Sequence, residues 1–168
     1  MLFRSADKPD SHDICFIPDG DTAGFLRGRL GDRPGEIVDA ETGEHLGEHD
    51  GAFAFTVGQR RGLNLTTPAP DGARRYVLSI EPAVGRVVVG AAPMLDVTRI
   101  ECAAPIWCGP SASDSSSCQV QVRAHGDRTD ARIRLTATGV VIETQAPVRG
   151  VAPGQAAVMY DGSRVIGS

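Results

Sequence analysis

The sequence has 168 residues, of which 41% are hydrophobic and 23% are charged, so it can form one domain of ordinary size or two small ones. It contains no run of about 18 apolar residues and begins with no signal-peptide pattern, which argues against a membrane or secreted protein and predicts a cytoplasmic one. The 17 basic and 21 acidic residues give a net charge of −4, whereas nucleic-acid-binding proteins are usually basic overall.

The charge is unevenly distributed along the chain. Residues 1–50 hold five basic and twelve acidic residues, a net −7, whereas residues 51–168 hold twelve basic and nine acidic residues, a net +3. Lys8 is the single lysine, so arginine supplies almost all of the positive charge. Arginine suits phosphate binding, but genomic base composition explains this bias equally well. A basic surface can therefore form in the later part of the chain.

The first predicted elements follow a polar, proline-containing segment. An apolar run at residues 14–17 predicts a short strand, so residues 1–20 are expected to form a linker that enters this strand. Asp21 is placed to cap a short helix at residues 22–30, and Pro34 and Gly35 are expected to prevent its continuation.

Hairpins dominate the predicted central α+β domain, residues 21–93. Turn residues predict hairpins within residues 36–47 and 76–89, and alternating Ala and Phe predicts a further strand at residues 52–57. The glycine-bracketed loop that follows carries Arg60 and Arg61 side by side, and two adjacent guanidinium groups can bind phosphate.

Short strands at near-regular spacing follow a predicted boundary at residues 91–93. They are predicted at residues 95–103, 118–124, 131–136, 140–144 and 156–160, and they are separated by Gly, Pro or Asp turns. This pattern predicts a small antiparallel β-barrel over residues 94–168. A serine-rich stretch at residues 109–117 is expected to be a mobile loop. The predicted fold is therefore mainly β, a small α+β domain followed by a barrel.

Cys15 is the cysteine whose surroundings suggest chemistry, and three interpretations are open. A free cysteine in an apolar run is most often a small buried residue. A Cys/His pair with His12 is disfavoured, because residues three apart in a strand point to opposite faces. A sulfur-carrying cysteine on a flexible segment needs exposure and reach, and the polar composition of the preceding segment favours this interpretation.

The other cysteines and two histidines predict no metal site. Cys102, Cys108 and Cys118 have spacings that suit neither zinc binding nor a disulfide scaffold, so reduced structural thiols are expected. His45 and His49 are four residues apart, but the glycines around them make a helix implausible, and solvated loop histidines are expected.

Two further features in the predicted barrel are compatible with RNA binding. Arg132 and Arg134 lie on one face of a predicted strand, where a solvated surface and a phosphate-binding track are equally plausible. Gln155 follows Pro153 and Gly154, which predicts a turn, and a glutamine side chain can also read a base edge.

Several segments, in order along the chain, resemble bacterial tRNA-specific 2-thiouridylases. They are DSHDICFI from residue 10, FL from 25, PGEIV from 34, GEHDG from 47, VGQRRGL from 57, YVL from 76 and APGQAAVMYDG from 152. Each segment alone is a weak signal, but their ordered combination is specific. Enzymes of this family place sulfur on C2 of the wobble uridine (U34) of tRNA, using ATP to adenylate the C2 oxygen and a cysteine persulfide as sulfur donor.

The resemblance assigns roles to four residues of this chain. It implies that Cys15 carries the persulfide, and that His125, Gly126 and Gln155 contact tRNA. Relatives can carry Arg-Tyr in place of His125 and Gly126, which implies a weaker or backbone contact here. The implied partners are tRNA and a sulfur-relay protein or cysteine desulfurase, and the implied barrel resembles those of translation factors. Arg60 and Arg61 are candidates for phosphate contact on their charge alone.

The family begins with an ATP-pyrophosphatase domain that carries an SGGVDS loop and a first cysteine. Neither the loop nor that domain occurs in these 168 residues, so the chain is expected to be a C-terminal part without thiolation activity of its own. ATP, and a disulfide bond that the resemblance also implies, would belong to the intact enzyme. The competing hypotheses are a non-catalytic RNA-binding or adaptor module with a structural Cys15, and a Cys/His hydrolase.

Overall fold

The computed structural model describes Ile17 and residues 20–69, 72–123 and 126–168, and in these ranges the protein is mainly β. Its strands form sheets of four and six strands, each with its own hydrophobic core. The predicted class, an α+β unit followed by an antiparallel barrel, is confirmed. The strand predicted at residues 14–17 lies outside the described residues apart from Ile17.

The elements divide into a central unit and a barrel. The central unit contains α1 (Thr22–Leu30), β1 (Gly35–Asp39), β2 (His45–His49), β3 (Tyr76–Glu81) and β4 (Arg86–Gly90). The barrel contains β5 (Asp96–Ala103), β6 (Ser117–Gln121), β7 (Thr129–Leu135), β8 (Gly139–Arg149), β9 (Val158–Asp161) and β10 (Arg164–Gly167). Short 3-10 turns occupy Ala52–Ala54 and Ala92–Leu95.

Helix α1 begins and ends at residues with clear capping roles. The Asp21 carboxylate accepts a hydrogen bond from the Gly24 amide at 2.8 Å, as the sequence predicts. The helix ends at Gly31, whose φ of +70° is a left-handed conformation and whose amide donates to the Arg27 carbonyl. The helix thus covers the residues that the sequence predicts, and Gly31 ends it before Pro34 and Gly35 are reached; Gly35 begins β1.

The central unit is built on a sheet with the strand order β2-β1-β4-β3. The two predicted hairpins are present as antiparallel pairs, and β1 lies parallel to β4 with Ile37 beside Val87. Its buried core consists of Ile37, Leu46, Ala52, Leu63, Val77, Val87 and Val89. All four strands and the connection between β2 and β3 thus contribute to one core.

The strand predicted at residues 52–57 does not form. The Ala54 amide donates to the Gly51 carbonyl and the Phe55 amide to the Ala52 carbonyl, which makes a 3-10 turn. Phe55 packs against the core of the central unit. The alternation of Ala and Phe resembles a strand, but the backbone hydrogen bonds of this segment are satisfied locally instead of by a neighbouring strand.

The barrel is an antiparallel sheet with the order β10-β9-β6-β7-β8-β5. Its two outer strands meet through the segment after β5, because Trp107 bridges Gly167 and the Cys108 amide donates to the Ile166 carbonyl at 3.0 Å. Its interior holds Ile100, Cys118, Val120, Ala131, Ile133, Val140, Ile142, Ala157 and Met159. This seam closes the sheet around a single core.

Several strand boundaries in the barrel differ from prediction. β6 ends at Gln121, β9 begins only at Val158, and β8 continues to Arg149, where the sequence predicts an end at residue 144. The second part of β8 pairs with the start of β5 after a register irregularity next to Val97. Pro147 lies in that part, and proline in a strand is compatible with such an irregularity.

The serine-rich stretch expected to be mobile is hydrogen-bonded to β7. The Asp114 carboxylate accepts from the Leu135 amide at 2.9 Å, and the Ser116 carbonyl accepts from the Ile133 amide at 2.8 Å. The stretch therefore lies along the barrel wall.

Candidate nucleic-acid interface

A groove of about 630 Å³ runs along the barrel surface between β6 and β9. Its lining residues are Gln121, Val122, Arg123, Gln155, Ala156, Val158 and Tyr160. None of them is acidic, and their polar groups are amides, a phenol and one guanidinium. The groove can thus offer hydrogen bonds and positive charge to an anionic ligand.

Gln155 lies at one wall of the groove, in a turn that fixes its side chain. The Gln155 amide donates to the Ala152 carbonyl at 3.2 Å, and the Ala152 amide donates back to Gln155 Oε1 at 2.9 Å. Gly154 makes this turn with a φ of +86°. The Nε2 group of the exposed Gln155 has no acceptor among the described residues, so it is available to a base edge or a phosphate.

Gly126 is tied to the same groove through two side chains. Gln121 Nε2 donates to the Gly126 carbonyl at 2.8 Å, and the Tyr160 hydroxyl donates to Gln121 Oε1 at 3.0 Å. The structure therefore brings the predicted contacts Gly126 and Gln155 to one surface. His125, the third contact implied by the resemblance, lies outside the described residues.

Two arginines beside the groove are held by backbone carbonyls. Arg123 Nη2 donates to the Gly150 carbonyl at 3.0 Å, and a Cβ on Gly150 would lie 2.5 Å from that nitrogen. Arg128 donates to the Gly162 carbonyl, and its guanidinium lies 3.6 Å from the centre of the Tyr160 ring. Sequence reasoning did not single out Arg123, Gln121 or Tyr160, because only folding places β6 next to β9.

Arg60 and Arg61 lie on the central unit in a loop anchored to β3. The Gly58 amide donates to the Val77 carbonyl and the Val77 amide to the Gln59 carbonyl, at 2.8 and 2.9 Å. Both arginines are exposed, and no carboxylate of the described residues is within ion-pair distance of either. A Cβ on Gly58 would lie 3.9 Å from Arg123 Nη2, so this loop adjoins the groove.

Arg132 and Arg134 share the exposed face of β7, as predicted. Glu143 pairs with Arg134 and also lies 3.6 Å from Arg99, so the charge of Arg134 is neutralised across the sheet. This favours a solvated barrel surface over a phosphate-binding track at Arg134.

The expectation that His49 is a solvated loop histidine is wrong. His49 lies in β2 opposite Gly35, is 9% exposed, and packs its ring against Phe55 with the ring centres 5.2 Å apart. The glycines around it argue against a helix but leave a strand possible, and strand pairing turns the ring inward. His45, at the other end of β2, is exposed.

The described cysteines are free thiols in different environments. Burial raises the pKa of Cys102 and Cys118, whereas Cys108 is exposed. Cys15 and His12 lie outside the described residues. Within the described ranges, no three His, Cys, Asp or Glu side chains are close enough together to hold a metal ion. The described part of the chain also has no helix long and apolar enough to cross a membrane.

Comparison with known proteins gives two family matches. Residues 23–91 match the family described as tRNA methyl transferase PRC-barrel domain, and residues 97–168 match the one described as aminomethyltransferase beta-barrel domain.

Curated relatives share a single description, tRNA-specific 2-thiouridylase MnmA. The protein of Acidothermus cellulolyticus is 61% identical over 163 residues, which cover 97% of this chain and 45% of the relative. Those of Salinispora tropica and Saccharopolyspora erythraea are 56% and 55% identical, covering 92% and 97% of this chain and 43% and 46% of the relatives. The chain thus spans slightly less than half the length of these relatives.

Proposed function

Because this chain belongs to the tRNA-specific 2-thiouridylase family, we propose that it is the part of a tRNA-uridine 2-sulfurtransferase that binds tRNA and carries the sulfur. In the proposed reaction, the C2 oxygen of wobble uridine U34 is adenylated with ATP, and sulfur from a cysteine persulfide replaces it. The ATP site would lie in the portion of the relatives that this chain does not span. We propose that the protein is located in the cytoplasm.

The observation that supports tRNA binding most strongly is the convergence around the barrel groove. Arg123 supplies a guanidinium for phosphate, Gln155 supplies an unused amide for a base edge, and Gly126 lies against Arg123. Gln155 is distant in the sequence from Arg123 and Gly126, and folding brings it to the same groove as Arg123. A solvated surface requires no such convergence, whereas an RNA-binding surface does.

The proposed sulfur carrier is Cys15. Its outer persulfide sulfur attacks C2 of the adenylated uridine, a carbon–sulfur bond forms, and AMP leaves with the oxygen. The remaining sulfur–sulfur bond is then broken by a second thiol, supplied by the first cysteine of the intact enzyme. The second thiol attacks Cys15 Sγ and is oxidised as a disulfide with Cys15 forms, while the outer sulfur leaves with the electron pair, is thereby reduced, and stays on the uridine as 2-thiouridine.

Sulfur loading of the chain tests the role of Cys15. We expect that a cysteine desulfurase supplied with radiolabelled cysteine transfers label to the chain, and that Cys15→Ser abolishes the thiol-labile label. Cys108→Ser is the matched control, because Cys108 is an exposed thiol elsewhere in the chain and its loss should leave the label unchanged. Label that survives in Cys15→Ser would contradict the proposal and favour an RNA-binding or adaptor module with a structural Cys15.

A further inference from the structure

A second depression, on the central unit, is lined by three arginines. It has a volume of about 440 Å³, and Arg60, Arg74 and Arg75 contribute to its walls. Its other lining residues are uncharged: Gly62, Leu63, Asn64 and Leu65. Among the described residues that line it, every ionisable group is therefore a guanidinium.

The three arginines differ in how their charge is compensated. Arg75 is buried and pairs with the equally buried Asp39, with 3.2 Å between Arg75 Nε and Asp39 Oδ2. Arg60 and Arg74 are exposed, and no carboxylate of the described residues lies within ion-pair distance of either. Two exposed guanidinium groups therefore face one concave surface to which the described residues bring no carboxylate, and this favours an anionic ligand.

The backbone on both sides of the depression is held in place. Arg74 directly precedes Arg75, whose ion pair with Asp39 attaches this segment to the end of β1. On the other side, Gln59 accepts from the Thr56 amide and donates to the Arg61 carbonyl, both at 3.0 Å. The two exposed side chains thus extend from anchored segments, which lowers the entropy cost of binding a ligand between them.

The loop at one wall of the depression also comes close to the barrel groove. The loop that carries Arg60 begins at Gly58, next to Arg123, and Arg123 lines the groove. Arg123 in the groove and Arg60 in the depression therefore belong to segments that approach each other at Gly58. A polyanion bound in the groove has a path onto the central unit.

We infer that Arg60 and Arg74 together bind a backbone phosphate of the RNA whose other contacts lie in the barrel groove. A planar guanidinium forms paired hydrogen bonds to two phosphate oxygens, which a compact ammonium group does not. Two guanidinium groups can therefore hold one phosphate from two sides. The contact would position the RNA without reading its sequence. This inference rests on the proposed function and extends its surface across both units.

Binding of unmodified tRNA to the full chain, measured by fluorescence anisotropy over a range of salt concentrations, tests the inference. We expect Arg74→Gln and Arg60→Gln each to weaken binding roughly three- to tenfold at low salt. The double variant, Arg60→Gln with Arg74→Gln, should lower the slope of log affinity against log salt by about 1, because the two arginines share one phosphate contact. An unrelated RNA hairpin should lose affinity by the same factor, because a phosphate contact is independent of sequence.

Arg86→Gln is the matched control. Arg86 is an arginine of the same unit, but it pairs with Glu36 at 2.8 Å and lies at the opposite end of the β3–β4 hairpin from Arg74. If both site variants behave like Arg86→Gln while the wild type binds tRNA, the inference is overturned and the proposed function stands. If the two site variants bind an acidic protein more weakly than the wild type does but bind RNA equally well, the ligand of this depression is a protein, and the inference is likewise overturned. If the wild type does not bind tRNA, both the inference about Arg60 and Arg74 and the proposed function are overturned.

Discussion

At the residue scale, the strongest single constraint in the central unit is the buried pair of Asp39 and Arg75. Asp39 Oδ1 also accepts from the amides of Glu41 and Thr42, at 2.9 and 3.2 Å, so the carboxylate closes the β1–β2 turn as well. Burial raises the pKa of Asp39, but these backbone hydrogen bonds and the Arg75 guanidinium outweigh it. The pKa of Asp39 therefore lies below its ordinary value of 3.8.

Replacing Asp39 should destabilise the protein and change its response to acid. Asp39→Asn removes the carboxylate that pairs with the buried Arg75 guanidinium, and we expect a loss of about 3–5 kcal/mol in the free energy of unfolding at neutral pH. Folding lowers the pKa of Asp39, so ionised Asp39 stabilises the folded protein. This stabilisation is complete at pH values above the ordinary carboxyl pKa, and it is lost as the pH falls through the lowered pKa of the folded state.

Urea unfolding at several pH values measures both effects. The difference in the free energy of unfolding between the wild type and Asp39→Asn should be largest at neutral pH and should decrease in acid. Arg86→Gln, which removes an exposed ion pair of the same unit, should cost far less. A pH-independent difference, or one no larger than that of the control, would contradict this account.

At the element scale, the barrel depends on the seam between residues 106–108 and β10. Ile106 and Ser168 exchange two backbone hydrogen bonds, of 2.8 and 3.1 Å, and Gly167 lies directly against Trp107. A Cβ on Gly167 would lie 2.8 Å from Trp107 Cε3 and 3.1 Å from the Ile106 carbonyl oxygen. Glycine is required here for close approach and not for an unusual φ.

We therefore expect Gly167→Val to open the seam. Trp107 is the only tryptophan in the chain, so its fluorescence reports on this place alone. The emission maximum should shift to longer wavelength, and overpacking should cost about 1–3 kcal/mol in the free energy of unfolding. Gly28→Ala is the control, because a Cβ there meets no atom within 4 Å and a helical alanine is favourable. Unchanged Trp107 emission in Gly167→Val would show that the seam does not depend on this contact.

Comparison of the elements with their sequence patterns shows which helices, turns and strands can be predicted from the sequence and which cannot. The two hairpins and α1 were predictable, because turn glycines and the Asp21 cap act over a few neighbouring residues. The 3-10 turn at Ala52–Ala54 could not be predicted, because alternation of apolar residues does not reveal whether a neighbouring strand is available for pairing. The length of β8 was missed because Pro147 resembles a strand end, although pairing with β5 continues past it.

At the scale of the whole molecule, the net charge of −4 conceals a basic face. The acidic excess belongs to residues 1–50, whereas the guanidinium groups that face the groove and the second depression all come from residues 51–168. Gly126 and Gln155 could be proposed from the resemblance alone. The contribution of Arg123 could not, since it depends on how β6, β9 and the loop at Gly58 meet in three dimensions.

The most direct test of the central claim is equilibrium binding of unmodified tRNA to the 168-residue chain and to a double variant, Arg123→Gln with Gln155→Ala. We expect saturable binding by the wild type that weakens steeply with salt, because phosphate contacts release counterions. The double variant should bind at least tenfold more weakly, while Arg86→Gln should bind like the wild type. Equal affinity of the wild type and the double variant, or no binding by the wild type, would contradict the assignment of this groove to tRNA.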